Sequence, residues 1–457
     1  MTPLSPVARR VRNVLASAAM LALAGCASYR PAPLDLSVSA KASLGELDHR
    51  QALPAQPGLQ DIARLAIANN PDLVAARLQR GIAEAQLQAA GTLPNPVLNL
   101  GYARVLSGPG ALPALAAAIS QNVKALVTLS AKRDAAQATL GSVDAGIVWQ
   151  EWQVATKAEL TAIELSAARR QLALARESAR LWSEEVARDR TALARQDLSM
   201  AMLVLDANAL ADAQLQVSTL ETTVLVKQQD LNGLLGLGPD VVLDIARPAA
   251  VAPADAQAVR ARLHDLVRHR PDLIALQLGY QAQEQQVRAA VLSQFPMLSI
   301  GASYGRDTGN VKTLGPDVSM ELPVFDRNQA GIGQEAANRD KLRAEFEARL
   351  IAARSEVESL LAQQALTLRQ RDEKAALVAQ AAPLRPALER ALSRQDIDAK
   401  AYVQSVATGN TKAQELLALE ASAAAQNLAI ATLVGAGMPA MRLPQGSDPF
   451  TDTGSVP

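Results

Sequence analysis

Apolar and polar positions alternate with a period of two in two places. Leu98, Leu100 and Tyr102 alternate with Asn99, Gly101 and Ala103, and Ile119, Val123 and Val127 alternate with Ser120, Asn122 and Lys124. Further on, Leu298, Ile300, Ala302 and Tyr304 alternate with Ser299, Gly301 and Ser303, and Val318, Met320, Leu322 and Val324 with Ser319 and Glu321. That period gives a strand one apolar face. Loops rich in Gly and Pro separate the strands, "SGPGALP" from Ser107 and "RDTGNVKTLGP" from Arg306. The pattern predicts two β-hairpins, over residues 97–127 and 296–325, with strands of about ten residues, the length of a tilted membrane-spanning strand. Both non-apolar faces are small or polar and nearly free of long charges. Tyr102, Tyr304 and Phe325 fall near strand ends, where a membrane barrel places its aromatic girdle.

Elsewhere the period is helical. From Ser130 to Arg195 there is no proline and only Gly141 and Gly146 interrupt, which predicts a helix of roughly 100 Å. The stretch from Asp326 to Arg394 is similar, but Pro383 and Pro386 predict a kink near its far end. Each long stretch is followed by a return helix. The first carries a heptad, Leu203, Leu210, Val217, Val224 and Leu231, the mark of a left-handed coiled-coil seam. The second carries a weaker one, Tyr402, Gly409, Leu416, Ala423 and Ile430.

The order is written twice. "PDLVAARL" at Pro71 is echoed by "PDLIALQL" at Pro271, and 12 of 31 positions of Pro71–Gly101 are identical 200 residues on. Later the offset is 199, with "ALARQDLS" at Ala192 against "ALSRQDID" at Ala391. Two repeats of this size are too long for a solenoid and read as two halves of one fold, 59–239 and 240–439, between tails at 26–58 (extended) and 440–457. Each phrase starts a helix: Pro71 suits its first position, Asp72 faces its dipole, and Asn70 caps it. Arg270 replaces that cap in the second half, where a weaker start is expected.

Composition fits long helices better than a thick core: 49% of residues are hydrophobic but only 3% aromatic. The formal net charge is zero, so no pull toward nucleic acid is implied. No run of about 18 apolar residues follows the N-terminal segment, so no transmembrane helix is expected in the mature chain. That segment, residues 1–25, reads as a signal peptide, with Arg9, Arg10 and Arg12 before the apolar "VLASAAMLALA". It ends in Leu23-Ala24-Gly25-Cys26, which resembles a bacterial lipoprotein signal and implies lipidation of Cys26. Ala27 and Ser28 follow rather than Asp, which in such lipoproteins directs the outer membrane. Its removal leaves 42 basic and 45 acidic residues, a net charge of −3. Cys26 is the only cysteine, so no disulfide forms within the chain.

Four strands cannot close a membrane barrel, and open edges in lipid leave backbone groups unpaired. Several copies must therefore contribute to one barrel. Here the residues resemble a family. The order of elements behind a lipoprotein signal, with "LPNPVLNLGY" at Leu93, "ISQNV" at Ile119, "VLDANALADAQL" at Val204, "LNGLLGLGP" at Leu231 and "MELPVFDRNQAGI" at Met320, is similar to the outer membrane efflux proteins, the TolC-like outer membrane factors. The likeness covers nearly all of residues 26–440 and lies in the order and duplication of the motifs. It implies a mainly α fold with a small β part: long antiparallel helical hairpins forming an α-barrel, plus four transmembrane strands per chain, completed by trimerisation into a 12-stranded barrel. It implies a passive export duct with no cofactor, joined to a periplasmic adaptor (membrane fusion) protein and an inner-membrane resistance-nodulation-division pump. The "LPVFDRNQ" wording is most similar to members serving heavy-metal export; cargo itself, metal or drug, is not written in the chain.

Members of that family usually carry Gly at the turn between long and return helix. This chain has "RQDLS" and "RQDID", where Asp197 and Asp396 are expected to tolerate a left-handed backbone. The resemblance makes the tips, Gln196, Asp197, Leu198, Gln395 and Ile397, the adaptor contacts. It places a gate near the second tip, with Glu389, Asp396 and Asp398 as acids and Arg385, Arg390 and Arg394 as locking partners. The bland alternative makes these ordinary solvated charges. His49, His264 and His269 form no metal-ligand spacing, Met200 and Met202 read as packing or adaptor contacts, and no nucleophile triad or phosphate loop appears, so no enzyme is expected. The rival to the duct is a structural periplasmic coiled-coil lipoprotein without a pore.

Overall fold

A computed structural model describes residues 29–49, 54–108, 112–248 and 252–438. Cys26, the signal segment and the tail from residue 440 lie outside the described residues. The chain divides into a short unit, Met1–Ala40, and a second unit, Lys41–Pro457. In the first, Asp35 accepts bonds from the Ser37 hydroxyl and N–H, at 2.6 and 2.9 Å.

The second unit is mainly helical, with one four-stranded antiparallel sheet. Its elements are α1 (Leu59–Asn69), α2 (Pro71–Ala90), β1 (Val97–Ala103), β2 (Ala114–Asn122), α3 (Lys124–Ala194) and α4 (Met200–Leu235). They continue with α5 (Ala256–Leu263), α6 (Leu266–His269), α7 (Pro271–Leu292), β3 (Leu298–Arg306) and β4 (Lys312–Met320). The last are α8 (Gln329–Ala381), α9 (Leu384–Ser393) and α10 (Ala399–Leu433).

Several boundaries differ from the sequence pattern. β2 ends at Asn122, so Val123 and Val127 belong to the start of α3, and Val123 donates to Leu298 across the sheet as it leaves. β4 begins at Lys312 and ends at Met320, which leaves Leu322, Val324 and Phe325 exposed beyond it. The β3–β4 loop is correspondingly tight: Asp307 accepts from Gly309 and Val311, both at 2.9 Å, and Asn310 takes the left-handed backbone. Part of the segment expected as an extended tail is docked. Lys41 pairs in parallel with Leu237, and Leu47 is 2% exposed.

The helix α3 runs unbroken through Gly141 and Gly146 for 71 residues. Gly141 marks a crossing rather than an interruption: a Cβ there would stand 3.1 Å from Leu278 of α7. Its buried positions are mostly alanines, such as Ala145, Ala158 and Ala162, which let neighbouring helices lie close. The second long stretch breaks as expected. α8 stops at Ala381 and α9 starts at Leu384, because Pro383 has no N–H to continue the ladder. Pro386 sits in the first turn of α9, where that N–H is dispensable.

Two apolar clusters anchor the elements. One joins Ile62 and Leu65 of α1 to Ala162 and Leu165 of α3 and to Leu231 and Leu235 of α4. The other joins Leu266 and Leu273 to Val357 and Leu361 of α8 and to Ile430 of α10. The heptad of α4 is buried only at Leu231 and half-buried above it. On α10 the buried line is Val403, Asn410 and Leu417, one residue later than Tyr402, Gly409 and Leu416, and it meets the expected positions only at Ala423 and Ile430. An ideal helix drifts against a strict seven-residue repeat, so a weak heptad misplaces its seam. By composition α10 is also long and apolar enough to cross a bilayer, with mean hydropathy 1.3. It packs instead along α3 and α8, with Gln414 and Asn410 buried.

The two phrases opened by proline start α2 and α7. Asn70 accepts from the Leu73 N–H at 3.1 Å and donates to the Leu234 carbonyl at 3.1 Å. Arg270 makes no cap; its Nη1 donates to the Leu433 carbonyl at 3.4 Å, and its Nε and Nη2 hold Asp272 at 2.9 and 2.6 Å. The weaker start expected for the second phrase is thus replaced by a buried ion pair.

Candidate functional site

Two places hold the candidate functional residues, the sheet and the helical tips. The sheet order is β1-β2-β3-β4, so the two hairpins lie side by side through β2 and β3. Paired residues share a face, and the registers sort every strand position. One face carries Leu98, Leu100, Tyr102, Leu115, Ile119, Ile300, Tyr304, Leu314, Val318 and Met320, with Gln121, Arg306 and Lys312 as its polar members. The other carries Asn99, Gly101, Ala116, Ser120, Ser299, Gly301, Ser303, Thr313, Asp317 and Ser319. The apolar face is bare: Leu100 is 75% and Leu314 80% exposed.

Among the described residues both outer edges are unpaired within the chain. Val123 bonds to Leu298, and Glu321 bonds to Met297 at 3.0 Å, which fixes the alternation of every ladder. The outward backbone groups are therefore those of Leu98, Leu100 and Tyr102 on β1, and of Lys312, Leu314, Pro316, Val318 and Met320 on β4. Pro316 lies at a position whose nitrogen faces away from β3, so its missing N–H breaks no bond of this sheet.

At the tips, α3 and α9 end in the same motif. Gln196 and Gln395 take left-handed backbone, at φ 67 and 61. The Asp197 N–H bonds to the Ala192 carbonyl, and the Asp396 N–H to the Ala391 carbonyl, each at 2.9 Å. This is a Schellman closure, in which the residue just past the cap is left-handed. The left-handed position is therefore taken by glutamine, not by Asp197 or Asp396 as expected. Left-handed backbone costs a non-glycine residue about 1–2 kcal/mol, and glycine's extra freedom in the unfolded chain returns about 0.5–1 of it. Gln196→Gly or Gln395→Gly is expected to stabilise its tip by roughly 0.5–1 kcal/mol, read as slower amide exchange at residues 192–199 or 391–398.

Ser199 and Asp398 cap the return helices, accepting from Met202 at 3.4 Å and Ala401 at 2.6 Å. Gln196, Asp197, Gln395 and Asp396 are exposed, and Leu198 and Ile397 half-buried.

The gate candidates separate. Arg385 and Glu389 lie together, at 3.6 Å, and Arg385 reaches across to Glu177 of α3 in a close ion pair. Asn410 of α10 donates to Glu177 at 3.1 Å and to Ser178 at 3.1 Å, so three elements meet there. The Arg385 hydrogen bond, helped by its charge, by Asn410 and by Arg180, holds Glu177 more acidic than an ordinary glutamate. The remaining candidates do local work. Asp398 is a cap, Arg394 ends α9, Arg390 bonds to the Pro386 carbonyl at 3.2 Å, and Asp396 stands in the turn. Sequence reasoning missed Glu177 and Asn410. Asn410 had a signal, a polar residue on the buried apolar line of α10; Glu177 had none, lying beside the buried line of α3 that runs from Leu172, Ala175, Ser178 and Leu181 into Glu185 and Asp189. Among the described residues no group of three or more His, Cys, Asp or Glu is placed to hold a metal ion.

No protein-family model matches the chain. The outer membrane protein OprJ of Pseudomonas aeruginosa is 30% identical over 168 residues, which is 34% of this chain and 35% of that protein, so the match spans about a third of that relative. Solved structures match far more of it. The outer-membrane channel OprN superposes with a TM-score of 0.68 at 14% identity, over 90% of this chain and 100% of that one. CusC, a protein that forms a transmembrane channel, gives 0.67 at 15% identity, over 90% and 100%. The Campylobacter jejuni CmeC outer membrane channel gives 0.67 at 14%, over 91% and 96%. The fold is therefore the one these outer membrane channel proteins share, the fold that the resemblance read from the sequence implies.

Proposed function

We propose that this chain is the outer membrane duct of a tripartite efflux pump. Three copies each give four strands, and the resulting 12-stranded barrel stands in the outer membrane above a helical tunnel through the periplasm. The observation that carries this reading is the sheet: a bare apolar face bounded by two unpaired edges. In lipid each unpaired backbone group costs several kcal/mol, so β4 of one copy must pair with β1 of the next. Two copies would give eight strands, whose interior side chains fill it; a conducting lumen needs more. The same logic extends to the helices. Along the wall α4 packs on α3, and α8 on α10, and their outer flanks, with Leu215 and Leu225 or Ile351 and Leu366, remain exposed for neighbouring copies.

The two halves of the sequence, 59–239 and 240–439, are a duplication on this reading, supported by equivalent bonds. Asn70 to Leu234 and Arg270 to Leu433 correspond, as do Arg77 to Ile67 and Gln277 to Val267, each of the last two at 2.7 Å. Cys26 carries the lipid. The tips, Gln196 to Leu198 and Gln395 to Ile397, meet the adaptor, and an inner-membrane resistance-nodulation-division pump supplies cargo, metal ions or drugs.

The gate is the meeting of Arg385, Glu389, Glu177 and Asn410. An ion pair this exposed contributes about 0–1 kcal/mol. Three symmetric copies would hold the tips by only a few kcal/mol, within reach of an adaptor's differential binding. Arg385→Ala is expected to raise single-channel conductance several-fold in planar bilayers, with Glu389→Ala and Asp396→Ala as milder companions. A purified protein that cross-links as a trimer and conducts ions fits the duct. A non-conducting monomer fits the rival, a coiled-coil lipoprotein without a pore.

A further inference from the structure

Close to the first tip three helices bury an excess of negative charge. Asp189 of α3 is 7% exposed and Asp206 of α4 3% exposed. Lys400, the second residue of α10, holds both oxygens of Asp206, at 2.8 and 2.9 Å. Glu185, one turn before Asp189 and 5% exposed, is held by Arg188, whose Nε lies 3.0 Å away. The Oδ2 atom of Asp189 is buried with no donor facing it. The groups that face one another are thus Asp189, Glu185 and Arg188 from α3, Asp206 from α4, and Lys400 from α10. That is three acids against two bases, and one proton makes the cluster neutral.

We propose that Asp189 and Asp206 share one proton and, with Lys400, form a proton-operated latch fastening the first tip to the start of α10. The geometry explains why a proton is needed. Two ionised carboxylates in contact repel, and a single lysine cannot balance both in a buried setting. A carboxylic acid on Asp189 donates to Asp206 and leaves one negative charge facing Lys400. Burial, the hydrogen bond to Asp206, and the charges of Asp206 and Glu185 raise Asp189 from 3.8 to about 6, against the opposing pull of Lys400. The sign follows. An acid raised in the latched state binds its proton more tightly there than when opened to water. The latch therefore holds in acid and loosens as pH rises through about 6. It deepens the duct reading, because α10 leads into the wall that carries Asn410 of the gate.

The test uses the full-length protein in detergent or planar bilayers. The infrared carbonyl band of a protonated carboxylic acid should be present at about pH 5 and lost by about pH 8, with a midpoint near 6. The component with that midpoint should vanish in Asp189→Asn and, independently, in Asp206→Asn, leaving the band of Glu159, whose carboxyl is raised to about 7 by burial. Protection of the amides at residues 189–206 and 398–406, taken relative to the base-catalysed exchange of free peptide, should fall over the same range in the wild type. In Asp189→Asn, which mimics the protonated acid, that protection should stay high at all pH. A wild type without the component near 6, such a component surviving both substitutions, or protection that does not change with pH would overturn the latch. If band and exchange behave as stated while no pH produces conductance, the latch stands and the duct reading fails.

Discussion

Arg270→Ala is expected to cost about 3–5 kcal/mol of local stability, the usual penalty for leaving one partner of a buried ion pair alone. Arg270 is 2% exposed and Asp272 7%, and their bidentate contact is shut away from water. The same guanidinium lies 4.9 Å from the Trp149 ring of α3 and reaches the Leu433 carbonyl at the end of α10. One side chain thus ties the start of α7 to α3 and α10. Its loss leaves the buried Asp272, among the described residues, with Arg349 as its one remaining ion partner, 3.8 Å away and half exposed. The counterpart Asn70 holds a neutral cap, so Asn70→Ala is expected to cost only about 0.5–2 kcal/mol. The double variant Arg270→Met, Asp272→Leu removes both charges and should recover most of the loss, because no ion remains to be desolvated. Amide exchange at Ile274, whose N–H bonds to the Arg270 carbonyl, measures the two changes at α7, and exchange at Val74, whose N–H bonds to the Asn70 carbonyl, measures the change at α2. Equal effects for Arg270→Ala and Asn70→Ala would show that the pair contributes nothing beyond a cap.

The same residue shows where sequence reasoning ends. The phrase at Pro271 could be placed as a helix start from proline and aspartate alone, because those preferences are local. That Arg270 and Asp272 are buried depends on Trp149 and Leu433, far away in the chain. Alternation found β1 and β3 because one face of each strand is apolar; it overran β2, since Val123 and Val127 continue the period of two by chance into α3. The tip motif was visible as a repeated "RQD", yet which residue turns left-handed follows from helix closure, which counts from the last helical residue rather than from residue type. The gate acids were sought beside Arg385 in sequence. Its partner Glu177 is brought there because α10 packs on both α9 and α3. Charges on a buried helical line, as at Glu185 and Asp189, were the sequence's remaining pointer to the tip.

Gly301→Val is expected to abolish assembly of the sheet. At Gly301 any Cβ would collide with the Ile119 carbonyl oxygen and crowd the Ser120 Cα, both backbone atoms that no rotamer change can move. Gly301 pairs with Ser120 on β2, in the one ladder that joins the two hairpins. To admit a side chain the strands must separate there. The ladder bonds on either side are then strained or lost, and in lipid each unsatisfied group costs several kcal/mol. Two or three such groups in each of three copies exceed the whole net stability of an ordinary domain. Gly315 provides the control. It lies on the same small-residue face, on β4, and a Cβ there meets nothing within 4 Å. Gly315→Ala should assemble like the wild type, while Gly301→Val should run as a monomer on unheated gels and yield no channels. Tolerance of both would mean that β2 and β3 do not pair closely in the membrane, and the argument from the unpaired outer edges would then lose its starting point.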